Sequence, residues 1–173
     1  ALRVDGATVT LKDITIEKTA GASSNTEDGD FYGQNAGLLV LNGATATITG
    51  ATVNTSVTNG NGVFSYGEGT VVNISDSTIR TTENNSGGIQ TTGGSTMNAT
   101  NLDVETQGNS AAAIRSDRGG GTVNVDGGSY VTNGTGSPAI YCTADISVSD
   151  ATLTANASDG VVVEGKNSVA LTD

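Results

Sequence analysis

Six times along the chain an alternating apolar pair is followed five residues later by a third apolar anchor. The sets are Val9 and Leu11 with Ile16, Ala46 and Ile48 with Val53, Val72 and Ile74 with Ile79, Met97 and Ala99 with Val104, Val123 and Val125 with Tyr130, and Ile146 and Val148 with Leu153. Val169 and Leu171 begin a seventh. From Ile48 to Leu171 the repeat length is 23 to 26 residues, whereas the first interval, Leu11 to Ile48, is about a dozen residues longer. Between copies stands a further apolar site: Val40, Val63, Ile89, Ile114, Ile140 and Val163. Each repeat therefore reads as three short strands. A constant gap at a constant period is the mark of a solenoid, in which each unit covers the next.

The period-two alternation puts one set of side chains inward and the other outward. That spacing, with 25 glycines, excludes helix as the repeating element. Like segments recur in constant order, so they stack parallel, whereas a meander would alternate their direction. The expected fold is all-β: a parallel β-helix of six to seven coils with three short strands per coil. At about 4.8 Å per coil it forms a prism on the order of 30 Å long. It occupies residues 1–173 as one domain, with 19–35 as an inserted loop. Small aliphatic residues suffice inside because every coil is covered above and below. Glycines such as Gly50, Gly127 and Gly128 fall at the corners. One outward column, Thr10, Thr47, Asn73, Asn98, Asn124 and Ser147, reads as a polar ladder along the axis.

Charge narrows the partners. A net charge of -11 with only seven Lys and Arg argues against nucleic acid and against an anionic membrane surface. No apolar run approaches the roughly 20 residues of a membrane helix, so membrane insertion is not expected. Cys142 is the single cysteine, which excludes an internal disulfide, and its place two residues after Ile140 makes it a buried small hydrophobe.

The stretches GGGTVNVDGGSYVTN, GEGTVVNISDSTIRTT and TADISVSDATLTAN resemble right-handed parallel β-helix repeat proteins of the pectin-lyase-like superfamily. The likeness is to the acidic versions, rich in Gly, Thr and Asn, of large bacterial surface and secreted proteins. The resemblance implies a right-handed coil, a location outside the cell or at its surface, and a glycan or a cell-surface protein as partner. Both ends of the chain fall inside a coil without a polar cap, which is expected of a segment from a longer solenoid. It is also expected to permit end-to-end or homo-oligomeric contact.

Members of that family include polysaccharide lyases and glycosidases, so catalysis has to be weighed. The hydrolytic sites implied by the resemblance use several Asp with a His, and this chain has no His. A lyase needs Arg near carboxylates. The IRSDRGGG stretch offers Arg115, Asp117 and Arg118, which read more simply as surface ion pairing. No complete catalytic constellation emerges.

The outward column of the third strand breaks the polar pattern, with Phe64, Gln90, Arg115, Tyr141 and Glu164 on successive coils and Tyr66 close by. Two readings stand. The strip of rings, amides and charges takes a ligand, or the inserted loop closes over it, with Phe31 and Tyr32 packing on Phe64 as a lid. The same loop carries Glu27, Asp28 and Asp30, hard oxygen ligands suited to Ca2+, although their spacing completes no calcium loop. Beyond that weak candidate, no cofactor is expected.

The functional expectation is a non-catalytic extracellular β-helix module, a stalk or an adhesin. The alternatives are a polysaccharide-active enzyme and an ice-binding surface. Thr at alternate outward positions (Thr8, Thr10, Thr45, Thr47) motivates the last, but Asn, Ser and Asp replace Thr in later coils.

Overall fold

The three anchors of each repeat stack on their counterparts one coil away, and the strands that carry them pair in parallel throughout. The computed structural model describes residues 1–173 except residue 24. The chain is a parallel β-solenoid built on two sheets. One has seven strands, Leu2–Asp5, Leu38–Leu41, Val63–Tyr66, Ile89–Thr92, Ile114–Ser116, Ile140–Cys142 and Val161–Val163, in that spatial order. The other has eleven and wraps the two remaining sides of the prism, because Ser95–Thr106 and Gly121–Thr132 each run through the corner between them as one continuous strand.

Of the seven rungs in the first sheet, the outermost two have a partner on one side only. The solenoid amounts to about five turns, slightly fewer than the six to seven coils expected. The corner that the long strands traverse is occupied, coil by coil, by Asp13, Gly50, Asp76, Asn101, Gly127 and Asp150, all with φ between 49° and 70°. Gly, Asn and Asp are the residues that enter this left-handed region most readily.

The inner columns hold the core. Ala46, Ile48, Val53, Val72, Ile74, Ile79, Met97, Ala99, Val104, Val123, Val125 and Tyr130 are all buried. The final coil is different, with Val163 and Leu171 exposed. The outward ladder forms as read. Asn98 Nδ2 donates to Asn73 Oδ1 and Asn124 Nδ2 to Asn98 Oδ1, each at 2.8 Å, and Ser147 Oγ donates to Asn124 Oδ1 at 2.9 Å.

The seven-stranded sheet corrects the sequence reading at both ends. The partner of Val63 is Leu38, not Val40, and the partner of Ile140 is Val161, not Val163. Val40 and Val163 belong instead to a second inward column that passes through Ser65, Thr91, Ser116 and Cys142. In the middle coils that column is polar and fully buried, and it satisfies itself: Ser65 Oγ lies 3.1 Å from Thr91 Oγ1 and 2.9 Å from Ser95 Oγ. Cys142 is buried there, and its thiol donates to the Ala144 carbonyl at 3.2 Å.

The inserted segment is not loop alone. Thr26–Tyr32 forms a helix, α1, because Asn25 caps its start and Gly33 its end. Asn25 Oδ1 accepts from the Asp28 N–H at 2.8 Å, and Gly33, at φ 69°, donates its N–H to the Asp28 carbonyl.

Candidate binding site

The strip of unusual side chains exists as a register. Phe64 pairs with Gln90, Gln90 with Arg115, and Arg115 with Tyr141. At the next rung the column continues to Val162, which replaces the expected Glu164. Glu164 lies two residues further along and reaches back, so that the Tyr141 hydroxyl donates to Glu164 Oε2 at 2.9 Å. On the other side of Phe64 stands Leu39, which the sequence pattern does not mark.

The inserted segment covers half of this strip. Phe64 and Gln90 have no solvent exposure and Arg115 only 9%. The contacts differ from the lid anticipated, in which Phe31 and Tyr32 would pack on Phe64. Gly33 is the residue against Phe64: a Cβ added there would come within 2.8 Å of the ring and 2.6 Å of Leu39 Cδ1. Phe31 lies instead beneath the Arg118 guanidinium, 4.0 Å from ring centroid to Cζ. Tyr32 meets Tyr66 edge-on, with centroids 5.4 Å apart.

Polar contacts fasten the cover. Gln90 Nε2 donates to the Asp30 carbonyl at 2.6 Å and Thr92 Oγ1 to the Phe31 carbonyl at 2.7 Å. The Asp30 carboxylate lies 3.1 Å from Arg115 and also accepts from Asn59 Nδ2 at 3.2 Å. Asn61 Nδ2 donates to the Gly29 carbonyl at 3.3 Å. Glu27 pairs with Arg118 at the exposed rim. Arg115 is held on its other side by Asp117 at 2.9 Å. This cluster is largely buried, unlike the surface pairing read from IRSDRGGG, and the burial pushes the Asp117 carboxyl up despite the Arg115 charge that favours its ionised form. Under the cover, Gln90 Oε1 has no hydrogen-bond partner among the described residues. A buried acceptor left unmade costs about 1–3 kcal/mol.

The three carboxylates considered for Ca2+ have separate surroundings. Asp30 is buried on Arg115 and Asn59, Glu27 is at the rim on Arg118, and Asp28 sits in the first turn of α1. Among the described residues no three acidic, Cys or His side chains are grouped to hold a metal ion.

Beyond the cover the strip is open. A cleft of about 210 Å³ is lined by Arg115, Asp117 and Tyr141 together with Ser110, Ala112, Gly136 and Pro138. Burial, reinforced by the hydrogen bond to Glu164, pushes the Tyr141 phenol up to about 12. At neutral pH it is therefore a neutral donor bound to a carboxylate. Asn59, Asn61 and Thr92, besides Leu39, are members of this site that sequence reasoning missed. Their types blend into a chain full of Asn and Thr, but Asn25 and Gly33 flanking a seven-residue span carried a readable capping signal.

Fold and site together define a parallel β-solenoid that carries, on one face, a part-covered strip of aromatic, amide and charged side chains. No protein-family model, no curated protein and no solved structure matches the chain.

Proposed function

We propose that the chain is a non-catalytic, glycan-binding β-solenoid module of a secreted or cell-surface protein, and that its open site is the cleft at Arg115, Asp117 and Tyr141. The resemblance of its repeats to right-handed pectin-lyase-like β-helices supports the setting. The observation that carries the reading is the cleft itself, because an aromatic ring stands there beside pinned hydrogen-bonding groups. Sugars present apolar C–H faces to rings and hydroxyls to fixed acceptors, and a shallow site with few, well-held polar groups suits them.

Charge selects the class of glycan. Arg115 and Arg118 stand against Asp30, Asp117, Glu27 and Glu164, a formal balance of two positive and four negative groups. With a chain at -11, an anionic polymer such as a uronate is repelled on approach. Uncharged glycans are favoured.

A glycan array carrying neutral, amino and uronate oligosaccharides tests this directly. Binding is expected on neutral structures, and Tyr141→Ala should weaken it at least tenfold with an unchanged circular dichroism spectrum. Binding that survives Tyr141→Ala would remove the cleft from consideration, and new reducing ends or unsaturated products would make the protein an enzyme.

A further inference from the structure

We infer that the binding strip extends beneath α1, and that Phe64 and Gln90 form covered subsites for an oligosaccharide of N-acetylhexosamine units, which gains them by displacing the helix. This rests on the glycan-binding reading and adds the length, the chemistry and the gating of the site.

Register gives the first argument. Tyr141, Arg115, Gln90 and Phe64 occupy one outward column on four successive rungs. Three rung steps of roughly 4.8 Å place Phe64 about 14 Å from the open cleft along a straight line. An oligosaccharide seated on Tyr141 and running along the axis meets Gln90 and Phe64 next.

The underside of α1 gives the second. The cover meets this column and its neighbour with peptide groups: the Asp30 carbonyl accepts from Gln90 Nε2, and the Phe31 carbonyl accepts from Thr92 Oγ1, which pairs with Tyr66 in the adjacent outward column. An acetamido substituent is the same functional group, a secondary amide with one carbonyl and one N–H. It takes over both kinds of donor contact, and its N–H supplies what α1 does not, a partner for Gln90 Oε1. The fully covered Phe64 ring then receives the apolar face of a sugar where Gly33 now lies.

The cover is built to yield. A helix of seven residues is too short to persist on its own. The segment before it, Thr19–Ser23, lacks regular structure, and the contacts that tie Asp30 and Phe31 of α1 to Gln90, Thr92 and Arg115 are polar, of a kind a ligand can replace.

Calorimetry with the β-1,4-linked N-acetylglucosamine dimer and hexamer decides the matter, with amide hydrogen exchange read across 26–33. The hexamer is expected to bind at least tenfold more tightly than the dimer and to speed exchange in α1, which the dimer leaves unchanged. Gln90→Met should bring the hexamer down to the affinity of the dimer. Equal affinities in the unaltered chain, or an α1 that the hexamer protects, would overturn the inference; the exchange result needs no variant to fold. If neither probe binds while another neutral glycan binds at Tyr141, the covered subsites fall and the open cleft stands. A silent array removes both.

Discussion

Tyr130 is the one large aromatic in an inner column otherwise made of Ile, Val and Leu, and its hydroxyl is buried without a partner among the described residues. Burial pushes its phenol well above the ordinary tyrosine range. In the unfolded chain the same group ionises near pH 10, so the stability tied to its protonated state is intact below that pH and is lost as pH rises beyond it. Tyr130→Phe keeps the ring and removes the orphan donor. It should raise the stability measured by denaturant unfolding by about 1 kcal/mol and make the alkaline fall shallower. A second residue-scale test concerns the corner. Gly127 sits at φ 70° with no atom closer than 3.8 Å to an added Cβ, so conformation rather than space decides what is tolerated. Gly127→Asn should be nearly neutral, and Gly127→Val should lower stability by about 1–2 kcal/mol. Both residues were legible in part. Tyr130 reads as an anchor from its spacing, and Gly127 as a corner, but nothing in the sequence marks an unpaired hydroxyl.

Among elements, register was recoverable wherever polar residues alternate with apolar ones and was lost where they do not. Leu38–Leu41 is apolar at all four positions and Val161–Val163 at all three, so either of two inward choices satisfies the pattern. Shifting by two residues preserves which face is buried, and for that reason the sequence pattern puts Val40 and Val163 in the wrong column without any conflict in burial. The element missed outright is α1, for two turns whose buried residues are Gly29 and Asp30 carry no apolar periodicity, and only the caps Asn25 and Gly33 mark them. Those caps make its stability separable from that of the solenoid. Gly33→Ala places a Cβ against Leu39 and Phe64 in a left-handed residue. It should speed amide exchange in 26–32 by tenfold or more while leaving the global unfolding midpoint within experimental error. Exchange as slow as in the unaltered chain would mean that the cover is held by its polar contacts alone.

For the whole molecule, the consequence of stacking is that stability is a sum of coils and of the interfaces between them. The middle coils are covered on both sides, and Ile79 has no exposure there. At the C-terminal end Leu153 is only half-buried, and Val163 and Leu171 are exposed. The same chemical change should therefore cost very different amounts along the axis. Ile79→Ala removes three carbons from a site that its neighbours above and below cannot refill, and is expected to cost about 3–4 kcal/mol. Leu153→Ala removes as much from a side chain already in contact with water, and should cost about 1 kcal/mol or less. Chemical denaturation of both variants measures the difference, and hydrogen exchange locates it: amides of 152–172 are expected to open before those of 71–106 in the unaltered protein. Equal costs, or one uniform opening free energy from end to end, would show that the prism unfolds as a single unit, and α1 would then be the only part free to move on its own. Unequal costs leave the middle coils, where Phe64, Gln90 and Arg115 share a column, as the most rigid platform the fold can offer a ligand.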